Sequence, residues 1–438
     1  MNACVADAIS PSRDQSADNP RTTASAVSPP PTKAASADRS PAPSRFTING
    51  QQMSVVIITT LIELEKYYTE LEELAATALE PNIFYEPWVL LPSLKAFGAA
   101  AQFVFALVFA PEISNPNGPQ ILCGFFPLVR ERRYKGIPIS VLRLWQHRYG
   151  PLCTPLIRTE HADECLKAFF KWLADPSHPS PANCAAVDLR FIPGDGPFHT
   201  LLVDYLYRSM QQTYTDDCHV RALFRPAENA EAYLNHAFSG RRRKDMRAQA
   251  RKLAEQGEIE YSELLEESDL EQCVNDFFRL EASGWKGKEG SAIISKKEDQ
   301  EFFLKLAREG FRRGRLRMLS LKLNGQPIAQ SFDLTSGRAV FALKIAYDEE
   351  YARFSPGVLM QIDNLQRLHN SPDYDWVDSC AVPRHFMINR LFTSRRIIQT
   401  VLVATGRKPG GLVVSVLPLL RWLNRLLRRP TPQMSDQE

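Results

Sequence analysis

Three consecutive residues, Ser355, Pro356 and Gly357, form a candidate anion-binding corner. Serine is common at the N-cap of a helix, proline suits the first helical position, and glycine lets another group approach the backbone closely. Apolar residues follow at helical spacing: Val358, Ile362, Leu365 and Leu368. The first turn of such a helix presents unpaired N–H groups and the positive end of the helix dipole, which suit a phosphate or pyrophosphate. The alternative is a capped helix that binds nothing.

A strand is predicted just before this corner, because large apolar residues alternate with small or charged ones. The large residues are Phe341, Leu343, Ile345 and Tyr347, and the others are Ala342, Lys344, Ala346 and Asp348. The large residues are expected to form one face of the strand, lying on a core. The other face has room beside it for a ligand.

Two further segments are basic. The first is a run of seven cationic residues, Arg241, Arg242, Arg243, Lys244, Arg247, Arg251 and Lys252. It suits a polyanion, such as coenzyme phosphates, an anionic glycan, a nucleotide sugar or tRNA, or it is only the solvated face of a helix. The second, residues 411–429, mixes leucines with arginines and is too short and too charged to span a membrane. It predicts either a basic amphipathic helix at a membrane surface or a helix docked on the protein itself.

The composition indicates a globular protein and excludes several classes. Of 438 residues, 44% are hydrophobic and 24% are charged, which suits two or three domains with large cores. The net charge of +3 does not require a nucleic acid or a membrane as partner. The eight cysteines form no CxxC pair and no cluster with zinc spacing, so we expect no metal and a cytoplasmic location. Nucleophile-elbow, Walker and dinucleotide-binding motifs are missing.

Four regions are predicted along the chain. Residues 1–50 are rich in Ser, Ala and Pro and are expected to be disordered, with order beginning near Met53. The N-terminus does not resemble a secretory signal. Residues 51–227 and 228–405 predict two α/β units, each with a mixed, mostly antiparallel sheet flanked by helices, and residues 406–438 predict a basic, apolar tail helix.

Within the second unit, three antiparallel strands are predicted at residues 316–323, 326–334 and 339–347. Asn324-Gly325 and Ser336-Gly337 are strong hairpin turns between them. The Ser355 helix comes next, and then a strand from Trp376 that is expected to run parallel to the third. AAVDL at residues 185–189 resembles DWVDS at residues 375–379, which is weak evidence for a duplication.

Three segments of the second unit resemble a known family. They are FFRLEASGWKGKEGSAI at residues 277–293, LNGQPIAQSFDL at 323–334 and LKIAYDEEYARFSPGVLM at 343–360. The chain resembles GNAT-superfamily acyltransferases of the CelD-like group, which carry BioF2-like acetyltransferase domains and are associated with cellulose biosynthesis. That group is related to the FemABX peptidyltransferases. The resemblance implies two GNAT-like units in tandem and transfer of an acyl group from acetyl-CoA or another acyl-CoA.

In GNAT proteins the loop after the fourth strand and the next helix N-terminus hold the pyrophosphate of coenzyme A. The resemblance therefore implies a set of cofactor-binding residues: Lys344, Arg353, Ser355, Pro356, Gly357 and Val358. The loop departs from the family pattern, because it has a single glycine where the family is glycine-rich. Acyl carrier protein and aminoacyl-tRNA therefore stay open as donors.

Acyl transfer also needs a proton acceptor for the attacking amine or hydroxyl, and donors for the developing oxyanion. Three carboxylates are candidates for the base, namely Asp348, Glu281 and Asp378, and each is alternatively a surface ion pair or a loop cap. Trp285, Lys286 and His385 are candidate substrate-binding residues. A core tryptophan and a packing histidine are the alternatives for the first and last of these.

Three functions remain open. The first is an N- or O-acyltransferase acting on a small molecule or glycan, in exopolysaccharide or cell-envelope biosynthesis. The second is a non-catalytic accessory protein of a polysaccharide synthase, and the third is a tRNA-dependent, FemABX-like aminoacyltransferase. We expect no DNA partner, and tRNA is disfavoured. The protein is expected in the cytoplasm or at the inner face of the membrane, through residues 411–429.

Overall fold

The computed structural model describes residues 43–177, 183–383, 385, 387–407 and 410–427, with the backbone alone for residues 116, 117 and 420–427. The predicted disorder of residues 1–50 falls mostly outside these residues. Order begins earlier than Met53, because a strand at Ser44–Ile48 pairs with the next one. We call residues 44–224 the first half and residues 230–391 the second half.

The first half contains eight strands and five helices in the residues described. They are β1 Ser44–Ile48, β2 Gln51–Ile58, α1 Leu61–Glu65, α2 Tyr68–Ala76, α3 Pro87–Phe97, β3 Phe103–Glu112, β4 Asn115–Glu131, β5 Val141–Leu144, β6 Leu156–Ile157, α4 Ala162–Ala174, β7 Ala186–Pro193, α5 Pro197–Arg208 and β8 Thr213–Phe224.

The second half and the C-terminal segment continue the alternation of helices and strands. They are α6 Ala230–Ala237, α7 Gly240–Ala254, β9 Ile259–Glu263, α8 Glu267–Ser283, α9 Trp285–Lys288, α10 Lys297–Arg312, β10 Leu316–Arg317, β11 Leu319–Leu323, β12 Gln326–Ser336, β13 Ala339–Tyr347, α11 Pro356–Asn370, β14 Trp376–Asp378, α12 Ile388–Leu391, β15 Ser394–Ala404 and α13 Gly410–Leu427. A 3₁₀ turn at Glu349–Phe354 joins β13 to α11.

All of these strands belong to one mixed sheet flanked by helices, in the order β1-β2-β3-β4-β5-β7-β15-β8-β14-β13-β12-β11-β9. Each half has one parallel pair among the described strands, β5 with β7 and β13 with β14, and the parallel direction of β14 confirms the prediction. The sequence analysis did not anticipate β15, which pairs with both β7 and β8 and so completes the sheet of the first half. The bounds of the four predicted regions stay a prediction.

The predicted alternation along β13 is wrong beyond its middle. Phe332 pairs with Lys344 and Asp333 with Ala342, so Leu343 is the extra residue of a β-bulge. A bulge shifts the side-chain alternation by one residue and bends the strand. As a result Phe341 and Leu343 pack on the α8 side of the sheet, while Ile345 and Tyr347 pack with residues of α11 on the other side.

Candidate functional site

The parallel pair β13/β14 opens after three residues. Pairing ends at Phe341 with Asp378, after which Asp378 accepts a hydrogen bond from the Cys380 N–H at 2.8 Å. Cys380 has a φ of 51°, a left-handed conformation that is uncommon for a residue with a side chain. This turn directs the chain that follows β14 away from β13. The bulge at Leu343 bends β13 on the same side of the gap.

The gap between the strands is a cleft of about 380 Å³. Its floor and walls include β13 from Ala342 to Ile345 and the chain from Ser379 to Ala381. The backbone of β13 here has lost its partner strand on this side. Its N–H groups are therefore available to a bound molecule, as an oxyanion or an extended amide arm would require.

Helix α11 begins beside one end of this cleft. It starts at Pro356, as predicted, but the Ser355 side chain makes no capping hydrogen bond and its φ is 54°. The Ser355 carbonyl accepts instead, from the N–H of Val358 at 2.9 Å and of Leu359 at 3.1 Å. A side-chain carbon at Gly357 would contact Met387, Tyr347 and Ile345, which all line the cleft, at 3.7–3.9 Å. The first turn of α11 therefore adjoins the cleft.

A buried carboxylate and two lysines lie at the other wall. Glu281 on α8 accepts hydrogen bonds from Lys344 Nζ at 2.6 Å, from Lys286 Nζ at 3.0 Å and from the Ile293 N–H at 2.9 Å. Burial would raise the pKa of Glu281, but the two lysines hold it below its ordinary value. Burial lowers the pKa of Lys344 even though Glu281 acts to raise it, and the neighbouring charge of Lys286 lowers it further.

The first half supplies the remaining wall through Arg148 and Tyr149, in the loop after β5. Asp299, buried on α10, binds both residues: Tyr149 Oη donates to it at 2.5 Å, and Arg148 Nη2 donates to its other oxygen. Lys344 Nζ lies 5.2 Å from the centre of the Tyr149 ring. The cleft is therefore built from both halves of the chain.

The substrate-binding candidates all line the cleft. Trp285 is placed by Glu349, which accepts from the Trp285 N–H at 2.8 Å and from Lys288 Nζ at 3.2 Å, and Lys286 is placed by Glu281. His385 is half-buried, its Nδ1 lies 3.4 Å from the Ile388 N–H, and burial together with Lys286 lowers its pKa.

Two of the three predicted bases do not face the cleft. Asp378 is fully buried, with Arg221 and Arg396 each at 3.3 Å, so its oxygens already serve two guanidinium groups and one backbone N–H. Asp348 caps the 3₁₀ turn by accepting from the Glu350 N–H at 3.0 Å. Glu281 contacts the side chains of two cleft lysines, whereas Asp378 contacts the cleft through the backbone N–H of Cys380. Arg353 is exposed and stacks on Phe354 at 4.6 Å.

The sequence analysis missed Arg148 and Tyr149. Tyr149 and its partner Asp299 are 150 residues apart, and neither lies in a recognisable motif. No group of residues suitable for a metal ion is present in the described part of the chain.

The C-terminal helix α13 lies on the sheet of the first half, with Val414 and Leu417 buried against Tyr134, Val141 and Leu402. Leu412 and Leu419 are exposed. Among the residues described, no helix has the length and apolar character needed to cross a bilayer.

The segment that carries these features resembles a known domain. Residues 240–381 match the acetyltransferase (GNAT) domain, and they include the Glu281 cluster, β13, the start of α11 and β14. The chain therefore contains a GNAT-type acyltransferase domain, in a segment shorter than half of its length. No curated protein matches the sequence.

Solved structures resemble the chain over most of its length. The crystal structure of FemX has 10% sequence identity and a TM-score of 0.50, covering 81% of this chain and 98% of that one. A tandem GNAT protein from the clavulanic acid biosynthesis pathway has 10% identity and a TM-score of 0.40, covering 81% and 99%. L-PGS from Bacillus licheniformis has 12% identity and a TM-score of 0.42, covering 81% and 96%. The likeness to FemX supports a shared fold, and the predicted mixed α/β class is confirmed.

Proposed function

We propose that the protein transfers an acyl group, acetyl in the first instance, from acyl-CoA to an amine or hydroxyl. The observation that carries the proposal is the opening of β13 from β14 beside the first turn of α11, inside the segment that matches the acetyltransferase domain. The unpaired backbone of β13 suits the amide-rich arm of the donor. No carboxylate lines the cleft in the described residues, so nothing there repels its phosphates.

The first turn of α11 is proposed to hold the pyrophosphate of the donor. Gly357 supplies an N–H group for it, because Pro356 has none. The N–H groups of Ser355 and Val358 already donate to the carbonyls of Ala352 and Ser355. Arg353, exposed in the preceding 3₁₀ turn, is proposed to add a cation. Lys344, on the adjoining strand, faces the acyl end of the cleft.

Lys344 is the proposed proton acceptor, and Glu281 its positioning partner. Neutral Lys344 takes the proton from the attacking amine or hydroxyl as the new bond to the acyl carbon forms. The carbon–sulfur bond then breaks, and the thiol of the donor leaves after gaining a proton. Lys344 suits this role better than Glu281, because a carboxylate with three hydrogen-bond donors and a lowered pKa is a weak base.

Donor binding is tested by thermal unfolding. Acetyl-CoA at 100 times its Kd should stabilise the fold by about 2.7 kcal/mol, because it binds only the folded state. Gly357→Glu should abolish this shift, since it places a negative charge in the first turn of α11. Absence of any shift with acetyl-CoA and other acyl-CoA thioesters would contradict the proposal.

Two control variants separate charge from packing. Gly357→Ala should keep the shift, because the added carbon meets its neighbours only at ordinary contact distance. Ala162→Glu introduces the same charge at the first turn of α4 in the first half and should also keep it.

The biological setting is proposed from the resemblance to the CelD-like group. An acceptor in exopolysaccharide or cell-envelope biosynthesis, either a small molecule or a glycan, would fit an enzyme at the inner face of the membrane. The exposed leucines Leu412 and Leu419 of α13 support contact with a membrane surface. Co-sedimentation with anionic vesicles, lost in a chain ending at residue 409, would test that location.

A second candidate, tRNA-dependent aminoacyl transfer, is favoured by helix α7. Arg241, Lys244, Arg251 and Lys252 are all exposed on it, and the helix packs against the 3₁₀ turn that precedes α11. A tRNA donor would bind with a steep dependence on salt. Replacing these four residues by glutamine should then abolish tRNA binding, whereas acetyl-CoA binding should be little affected.

A further inference from the structure

The cleft presents positive charge to its contents, although acids lie close by. Its lining includes Arg148, Lys286 and Lys344, and no carboxylate among the described residues. The two acids that neutralise these cations, Asp299 and Glu281, are almost fully buried behind them. Arg148 and Lys286 each donate to one of these acids, so the charged side chains that face the cleft itself are basic.

The guanidinium of Arg148 is fixed in its orientation and still has N–H groups that can bind a ligand. Its guanidinium lies 5.0 Å from the ring centre of Phe97 and 5.4 Å from that of Tyr149. Its hydrogen bond to Asp299 uses Nη2, which leaves other N–H groups of the fork for a partner. A guanidinium already fixed in orientation loses little freedom when it binds a carboxylate or phosphate through two hydrogen bonds.

Arg148 and Lys344 lie against the same aromatic ring. Lys344 Nζ is 5.2 Å from the centre of the Tyr149 ring, and the Arg148 guanidinium is 5.4 Å from it. A small molecule can therefore reach both groups at once. One end would meet the fixed cation of the first half, and the other the lysine of the second half.

We infer that the acceptor is an anion: an amine or alcohol that carries a carboxylate or phosphate, bound by Arg148, with its nucleophile directed at Lys344. This inference rests on the proposed function and names the class of acceptor. It assigns a role to the first half, which would otherwise only support the transferase site. A neutral acceptor would leave the remaining N–H groups of the Arg148 guanidinium without an anion to bind.

The test compares ligands that differ in the anion alone. O-phosphoethanolamine is titrated against ethanolamine, and β-alanine against β-alaninamide, into the protein saturated with coenzyme A, by calorimetry. At least one of the two anionic ligands should bind ten-fold or more tightly than the matched ligand that lacks the anion. The pair that shows this difference indicates whether the site prefers a phosphate or a carboxylate. Equal binding within both pairs, or no binding at millimolar concentrations, would overturn the inference.

Variants then locate the anion. Arg148→Met should reduce the affinity for the anion to that of its neutral mate, whereas Arg148→Lys, which keeps a charge for Asp299, should retain part of the preference. Arg308→Met, on an exposed position of the same helix as Asp299, is the control and should change nothing. If Arg148→Met and Arg148→Lys weaken only the binding of coenzyme A, the arginine serves the donor and the inference is wrong.

The titrations are repeated without coenzyme A, so that the two proposals fail separately. Loss of donor binding with a persisting anion preference would refute the donor proposal alone. Donor binding without any anion preference would refute the acceptor class alone.

Discussion

Asp188 in the first half and Asp378 in the second occupy equivalent positions in the two parallel strand pairs. Asp188 is paired in register with Arg143 of β5, and Asp378 with Phe341 of β13. Both carboxylates are buried, and each is held by two arginines. The short sequence match between AAVDL and DWVDS thus marks a repeated structural feature, and the aspartate in it belongs to the framework of each half.

The two halves differ in the chain beyond this shared aspartate. In the first half, Arg190 Nη1 donates to Gln146 at 3.0 Å and the Cys153 N–H donates to the Phe191 carbonyl at 3.1 Å. These contacts tie the chain after β5 to β7, and β7 pairs along its other edge with β15. In the second half the corresponding space is the open cleft between β13 and β14.

This difference indicates which half carries out chemistry. The gap between β5 and β7 is closed by hydrogen bonds, so it has no unpaired strand edge that could bind a ligand. The gap between β13 and β14 is kept open by the bulge at Leu343 and the turn at Cys380. The first half contributes instead through Arg148 and Tyr149, which lie just beyond its closed strand pair. The first half thus forms one wall of a cleft that lies in the second half.

The largest expected effect is at Lys344. Replacing it by methionine should lower kcat by about 10²–10⁴, because the proposed proton acceptor is lost while the proposed acyl-CoA site at α11 remains. The measurement is release of free thiol from acetyl-CoA, in the presence of an amine that is turned over. The KM for acetyl-CoA should change little.

Lys135→Met is the matched control in the first half, where Lys135 also pairs with a carboxylate, that of Asp216, at 2.5 Å. It should keep full activity. A Lys344→Met enzyme that is as fast as the wild type would show that the open cleft does not use this lysine, and the proposed chemistry would have to be withdrawn.

The paired aspartates should be the next largest in effect, on stability and not on chemistry. Asp378→Asn leaves the buried Arg221 and Arg396 without their shared carboxylate, which should cost about 3–5 kcal/mol of unfolding free energy. Asp188→Asn should cost less, because its arginines are partly exposed and Arg143 keeps Glu131 as a partner. Urea unfolding of both variants measures this. The loss should be larger for Asp378→Asn, since its two arginines are the more deeply buried.

Activity separates this view from the prediction of Asp378 as a base. The fraction of Asp378→Asn that stays folded should transfer acyl groups at the normal rate. Loss of activity in a variant with normal stability would instead make Asp378 a catalytic residue, and the equivalence with Asp188 would fail.

Most of the second half could be predicted from its sequence, because the signals there are local. Hairpin turns at Asn324-Gly325 and Gly337, the start of α11 at Pro356 and the parallel strand β14 are all present as predicted. The bulge at Leu343 could not be predicted, because alternation of apolar residues does not show where a partner strand skips a residue. Strand β15 was missed because its pairing partners lie far away along the chain.

The candidate site was predictable only in part, for the same reason. The predicted residues that lie at or near the cleft are Trp285, Lys286, His385 and the proposed anion site at Gly357. They could be predicted because they belong to the segments that resemble the GNAT family or lie close to them. The choice among carboxylates depended on burial and partners, which no spacing reveals. Arg148 enters the site from another part of the chain, so only the folded structure brings it to Lys344.

The pH dependence of the reaction should sharpen the role of the Glu281 cluster. Transfer should increase as the pH rises through the pKa of Lys344, because only its neutral form accepts a proton, and this pKa lies below the ordinary value of lysine. Glu281→Gln removes a charge that raises that pKa, and Lys286→Met removes one that lowers it. The inflection of kcat/KM should therefore move in opposite directions, to lower pH for Glu281→Gln and to higher pH for Lys286→Met.

Opposite shifts are not expected from loss of packing, which would lower the rate at every pH. Shifts in the same direction, or none, would show that Lys344 does not set the pH profile. Both substitutions lie in the second half. The Tm of each variant should be compared with that of the wild type before the rates are compared.

The smallest expected effect concerns one buried carboxylate in each half. Burial raises the pKa of Glu80 and that of Asp333 to about 7, against the opposing influence of Arg396 and Arg317 respectively. A raised carboxyl pKa stabilises the fold at low pH, and this contribution is lost as the pH rises from the unfolded value to about 7. Glu80→Gln and Asp333→Asn should therefore gain stability relative to wild type as the pH rises from 5 to 8, because the weaker hydrogen bonding of the amide is the same at both pH values. Urea unfolding at both pH values measures this, and a variant less stable at pH 8 than at pH 5, relative to wild type, would mean that its carboxylate is ionised and paired in the folded state.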